Sequence, residues 1–246
     1  MSYGFYLYGI FPAPGPLGLD LQGLDKQEVQ THTIADFVFL YSFAQQERYL
    51  ASRKNLMGHA RVLEEAMSAG FRNHLPLPLN RLIFQTWGEV EAQIITPYQD
   101  HLRALFERLV GKREVGLKIY WDEAAELERL LEHNEPLQQQ RDRLEGRQLS
   151  MDEIIRIGQA IETALTNHQT QIIEVFQTHL TPLAIEVVEN DLQTESMIYN
   201  SAYLIEWDQE FAFSQVVEDL DNKFENRLRL RYNNFTAPYN FASLPS

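Results

Sequence analysis

Two hydrophobic periods divide the chain into strands and helices. Residues 3–11, rich in Tyr, Phe, Leu and Ile, predict a strand. Pro12, Pro14, Gly15, Pro16 and Gly18 follow as breakers, so 12–25 is expected to be a loop. A second apolar run, Ala35 to Phe43, predicts another strand. The period then changes. Leu56, Ala60, Leu63 and Met67 recur at four-three-four spacing, which predicts an amphipathic helix over 45–69 with those four on its core face. Gly70 stops it. The prolines of LPLPL at 75–79 keep that segment extended into Leu82, Ile83 and Phe84. Residues 87–110 read as helix, with Val90, Ile94, Leu102, Leu105 and Leu109 inward and Gly111 closing it. Pro97 interrupts this helix. Thr96, Pro97 and Gln99 read as an N-cap, a first-turn proline and the far end of a capping box, so the helix is expected either to restart or to kink there.

The second half is more regular. Val115, Leu117, Ile119 and Trp121 alternate with Gly116, Lys118 and Tyr120, predicting a half-buried strand. Asp122 can cap a helix carrying Leu127, Leu130 and Leu131. A polar stretch runs from Asn134 to Arg147, with Pro136 and Gly146. Ser150 and Glu153 form a capping box for a long helix to Leu180, carrying Ile154, Ile161, Leu165, Ile172 and Phe176. Strands are expected at 183–188 and 196–206. Asp208 is expected to cap a helix with Val216, Val217, Leu220 and Phe224. Arg227 to Tyr232 alternate as a last strand.

In order, 113–232 reads strand, helix in two pieces, strand, strand, helix, strand, the split βαβ order of ferredoxin-like folds. Residues 1–110 read strand, strand, helix, strand, helix. The expected class is α+β with two domains. One is an N-terminal α+β domain over 1–111. The other is a ferredoxin-like domain over 112–246 with a C-terminal tail, 234–246.

Charge narrows the partners. The 246 residues hold 21 Lys and Arg against 35 Asp and Glu, a formal net charge of −14. That balance argues against nucleic acid and anionic membranes, which need clustered cations. It also favours a monomer by self-repulsion. Without cysteine, disulfides, thiol catalysis and thiolate metal sites are excluded. No apolar run reaches the ~18 residues of a membrane span. The N-terminal MSYGFYLYGIF lacks the basic region of a secretory signal, so a cytoplasmic location is expected.

No common site motif is present, so no catalytic, cofactor or metal residue is expected. Gly111-Lys112 lacks the rest of a phosphate-binding loop. The seven His are scattered, and none has paired zinc-site spacing. Asp219 and Asp221 open a calcium-like spacing that Phe224 and Leu230 break. Adjacent Glu64 and Glu65 read as a solvated helix face.

Two features remain. Between Arg156 and Lys223 there are twelve acids and no Lys or Arg, a stretch that solubilises the chain, steers a basic partner or weakly traps cations. The tail carries Phe235, Tyr239 and Phe241. Such aromatics dock back on the fold or meet a partner, which makes these three the candidate partner-binding residues.

Six collinear segments resemble one family. They are FYLYGI at 5–10, RYLASRKNLMGHARVLEEAM at 48–67, LPLPLNRLIF at 75–84, LVGKREVGLKIYW at 109–121, MIYNSAYLIEWDQEFAF at 197–213 and LRLRYNNFTAPYNF at 228–241. The helix core Leu56, His59, Arg61, Val62, Leu63 and Glu64 is similar to that of the gas vesicle GvpF/GvpL family, which the chain resembles over nearly its whole length. Pro78, Leu79 and Asn80 depart from the family's Arg-Phe-Gly, and Asn234, Phe235, Thr236 and Ala237 from most of its Gly-Pro-Trp-Pro. Asn200 and Tyr239 are kept.

The resemblance implies an accessory or minor structural protein of gas vesicles, the buoyancy-giving protein shells. It implies two α+β domains, the second a modified ferredoxin-like fold with a C-terminal extension. It also implies action in vesicle assembly or nucleation through contact with the small apolar shell protein, and with other gas vesicle accessory proteins, without catalysis or cofactors. The alternative from the residues is a ferredoxin-like small-molecule-binding module or enzyme with an unrecognised site.

Overall fold

The computed structural model describes residues 3–79, 83–142, 150–225 and 227–242. Asn80, Leu82, Gly146, Arg147 and the tail beyond Ala242, all named above, lie outside the described residues. The chain divides into two compact units. The first runs to Val115 and takes in Leu204–Asp208 and the segment from Asn234; the second comprises Gly116–Tyr203 and Gln209–Asn233.

The first unit is built on strands β1 (Phe5–Pro12), β2 (Gln30–Ile34), β3 (Phe37–Phe43), β4 (Leu75–Pro76) and β5 (Ile83–Phe84). Its helices are α1 (Arg53–Ser68), α2 (Trp87–Val90) and α3 (Thr96–Leu109), the last two joined by a π turn, Glu91–Ile95. The sheet order is β2-β3-β1-β4, with β5 also on β1, and these pairs are antiparallel. Both faces of β1 and β3 are buried, so these strands read as continuous apolar runs rather than alternating ones. One strand was not foreseen. β2 is the polar run QTHTI, and pairing with β3 through a tight turn at Ala35–Asp36 makes it a strand.

A bulge at Tyr8 shifts the β1–β3 register between Leu7 and Gly9. The extra residue changes which side chains face which layer. Tyr6, Tyr8 and Phe11 share one core with Val62, Leu63 and Ala66 of α1. On the opposite side Trp87 stacks on Phe5 at 4.7 Å and meets Tyr41 at 4.9 Å, and Phe37 stacks on Phe106 of α3.

Helix α1 starts later than its periodicity predicts. Ser52 accepts the Asn55 N–H at 3.3 Å. Before it, the Tyr49 hydroxyl accepts from Gln45 N–H and donates to Asp25, which holds 45–49 out of a helix. The buried face is His59, Val62, Leu63, Ala66 and Met67. Leu56 is 48% exposed and Ala60 only partly buried, so both lie at the border of the core rather than within it. Thr96 is not a cap. Its backbone is helical, because the π turn carries the chain continuously from α2 into α3, and Pro97 falls in the first turn of α3. The cap is Thr86, which accepts the Glu89 N–H at 3.2 Å.

The remaining elements are β6 (Lys112–Trp121), α4 (Glu123–His133), α5 (Glu135–Asp142), α6 (Met151–Leu180), β7 (Glu186–Glu189), β8 (Met197–Glu206), α7 (Glu210–Lys223) and β9 (Leu228–Thr236). Their sheet order is β7-β8-β6-β9. Asp122 and Ser150 cap α4 and α6 as their spacing predicts. Asp208 does not cap α7; it lies in a 3-10 turn, Trp207–Gln209, and Gln209 precedes the helix without a side-chain cap. Helix α6 buries only Ile172, Phe176 and Leu180, all in its C-terminal part. Ile154, expected on its apolar face, is 47% exposed. No helix among the described residues is long and apolar enough to cross a membrane.

Candidate functional site: an apolar groove beside the C-terminal segment

The groove lies wholly in the first unit. Its first wall is α1, where the off-core residues Leu56 and Ala60 stand a turn apart, with Ala51 just before the helix. Its second wall is the proline-held segment after β4. Leu77 donates its N–H to Tyr8 O at 3.0 Å, which fixes that segment against β1. Leu77 and Leu79 turn inward and Pro78 stays exposed. Pro78 and Leu79, two of the departures from the family pattern, line the cavity together with Leu56, Ala60 and Tyr239. Its volume is about 470 Å³.

The third wall is set from far along the chain. Ala237 is buried in the α1 core. Asn240 donates its backbone N–H (2.8 Å) and side-chain amide (2.7 Å) to the two carboxylate oxygens of Glu114. Phe241 is 2% exposed and Ala242 is buried beside it. Between these anchors Tyr239 is 37% exposed and faces the groove.

Electrostatically the lining is neutral. His59 meets the Tyr6 hydroxyl through Nδ1 at 2.7 Å, and burial pushes its pKa down to about 4. The Tyr239 phenol is pushed up by burial and then by the Glu64 and Glu114 carboxylates. Burial raises Glu114 to about 7, against the opposing pull of the Asn240 hydrogen bonds. Glu64 is also raised by burial, whereas Glu65 pairs with Arg61 at 3.0 Å, so the two adjacent acids have different surroundings. Such a lining suits apolar contact more than group transfer.

The structure separates the three tail aromatics. Phe241 is enclosed. Phe235 is partly buried edge-on against Trp207, with the Arg113 guanidinium over both rings. Tyr239 alone of the three lines the groove. Leu56 and Ala60 share the helical period of the core residue Leu63, so periodicity does not separate them from it. The hint was their neighbour Met57, which with Leu56 makes the apolar stripe too broad for one buried face.

In the second unit a polar cluster ties α4 and α6 to Arg227, the residue before β9. Glu126 of α4, 1% exposed, accepts from Arg227 Nε at 2.9 Å and from Arg227 Nη2, and meets His168 Nε2 of α6 at 2.9 Å. Burial alone would raise the Glu126 carboxyl, but the hydrogen bonds from Arg227 and His168 outweigh it and hold the group below the usual range. Among the described residues no group of three or more His, Asp or Glu could hold a metal ion. The twelve acids between Arg156 and Lys223 are all at least partly exposed, as a solvated face requires.

A mixed helix and sheet protein with a neutral apolar groove is the class these features define. The family described as "Gas vesicle synthesis protein GvpL/GvpF" matches residues 4–243, and the chain belongs to it. It is 54% identical over 244 residues to Gas vesicle protein F of Nostoc sp. (strain PCC 7120 / SAG 25.82 / UTEX 2576), covering 99% of this chain and 100% of that one. It is 53% identical over 246 residues to Gas vesicle protein F of Dolichospermum flosaquae, covering both chains completely. The crystal structure of the gas vesicle protein GvpF from Anabaena sp. PCC7120 superposes with a TM-score of 0.86 at 50% identity, covering 100% of this chain and 98% of that one.

Proposed function

We propose that this protein acts in the assembly or nucleation of gas vesicles, in the cytoplasm and at the vesicle, by binding the small apolar shell protein without catalysis. Membership of a gas vesicle family carries the reading. The groove supports it, since a chain of net charge −14 keeps itself dispersed while offering apolar surface to a subunit that must be covered before it assembles. Within this proposal the later strands and helices form a ferredoxin-like domain. The sheet order β7-β8-β6-β9 supports that assignment, because it places the first and third strands of the set at the centre.

The test is capture of purified shell protein by this chain at low and high salt. Screening weakens charge pairs and spares apolar contact. Capture at both salts supports binding through the groove. Capture lost in salt moves the contact to the acidic stretch 157–222. Absence of capture at either salt overturns the reading.

A further inference from the structure

Exposed apolar side chains flank the lining residues in the chain: Leu50, next to Ala51, is 66% exposed and Met57, next to Leu56, is 61% exposed. A small molecule would leave that surface wet, whereas a side-chain-bearing helix would cover it. Along the segment that forms the first wall the charge is reversed relative to the whole chain. From Arg48 to Arg61 there are four basic residues, Arg48, Arg53, Lys54 and Arg61, and no acid, in a protein with 35 acids against 21 bases. All four are exposed. Arg61 is partly answered by Glu65. Arg53 stands one turn before the lining residue Leu56 and two residues after the lining residue Ala51. Glu64, at the Tyr239 end, carries the opposite charge.

We infer that this groove receives an amphipathic helix of a partner protein whose apolar face is followed by carboxylates, with the acidic end lying over Arg53 and Arg48. The inference rests on the assembly reading only in taking this surface to meet another protein. Apolar side chains fill the space between Leu56, Ala60, Leu79 and Tyr239, and the acidic flank selects orientation and speeds encounter.

The probes are two fluorescein-labelled peptides of roughly 15 residues, long enough to hold a helix. Both carry Leu at i, i+3, i+4 and i+7; one has Glu on its flank and the other Lys. Fluorescence anisotropy against the full chain is expected to show the Glu peptide binding about tenfold more tightly at low salt, with the gap narrowing in salt. Leu56→Glu or, independently, Met57→Glu is expected to weaken it about tenfold, and Arg53→Glu to reverse the preference between peptides. Leu56 and Met57 are both largely exposed, so an unchanged melting temperature checks that the variants fold. Equal affinity for both peptides, indifference to Leu56→Glu, or no saturable binding overturns the inference. Concentration-dependent self-association abolished by Leu56→Glu also overturns it, because the occupant is then a second copy. Shell-protein capture together with peptide binding that is absent or indifferent to Leu56→Glu removes this inference and keeps the assembly reading. Peptide binding without shell-protein capture does the reverse.

Discussion

Asn240 closes both its backbone N–H and its side-chain amide on the buried carboxylate of Glu114, 126 residues earlier in the chain. This clamp holds the C-terminal segment in place, so Tyr239 is presented to the groove between Ala237 and Phe241. It also gives the segment a titrating anchor. The folded-state pKa of Glu114 is raised to about 7 from an ordinary 4.5, so the folded protein holds its proton longer than the unfolded chain. The resulting stabilisation is fully present below pH 4.5 and is lost as pH rises through about 7.

Glu114→Gln keeps the shape but cannot ionise. Its amide offers one acceptor where Asn240 brings two donors, so at pH 4.5 the variant is expected to be the less stable form. Between pH 4.5 and pH 8 the difference is expected to move by about 3 kcal/mol in favour of Gln, the scale of a shift of this size. Urea unfolding of both proteins across that range checks it. A pH-independent difference would mean that the buried carboxyl titrates normally.

Two buried histidines act in the opposite sense. Burial pushes His59 and His74 down to about 4, so both are neutral when folded and take up protons first in the unfolded chain. Folding stability is therefore expected to fall as pH drops from 6.5 to 4. His74 stacks on Phe11 at 5.1 Å, so His74→Phe is expected to retain the ring packing and to reduce the acid loss by up to about 3 kcal/mol. The variant and the wild type are to be compared at each pH, because Glu114 contributes with the opposite sign in the same window.

The Glu126 cluster predicts a large and partly reversible cost. Glu126→Ala leaves Arg227 and His168 without their shared carboxylate and is expected to destabilise by about 3 kcal/mol. Glu126→Leu combined with Arg227→Met removes both charges and is expected to recover much of that loss. Chemical denaturation of the single and double variants measures the difference.

Gly9 follows the Tyr8 bulge with no room for a side chain. A Cβ there would stand 2.9 Å from Leu63 Cδ2 and 3.0 Å from the Leu75 carbonyl oxygen. The backbone contact cannot swing away, so Gly9→Ala is expected to cost about 1–3 kcal/mol and to loosen α1 and β4 against β1. Lower melting temperature and faster amide exchange at Leu75 and Leu77 are the readouts.

Local patterns that carry their own physics were legible. The Ser150–Glu153 and Asp122 caps, the strand at β6 and the apolar runs of β1 and β3 each depend on a few neighbouring residues, although Tyr120, expected opposite the buried face of β6, is itself buried. The collinear segments from FYLYGI to LRLRYNNFTAPYNF carried the family in the same way. Features decided by distant partners were not. QTHTI became a strand because β3 offered an edge. The Asp208 spacing suggested a cap that the 3-10 turn at Trp207 displaced. Leu56 and Leu63 share a helical period, and only packing against Tyr6 and Tyr8 of β1 separated the groove residue from the core residue. Glu114 with Asn240 and Glu126 with Arg227 are pairs more than a hundred residues apart. Their meeting depends on chain closure and burial, which one-dimensional spacing does not encode, so the groove and its anchor emerged only from the tertiary structure.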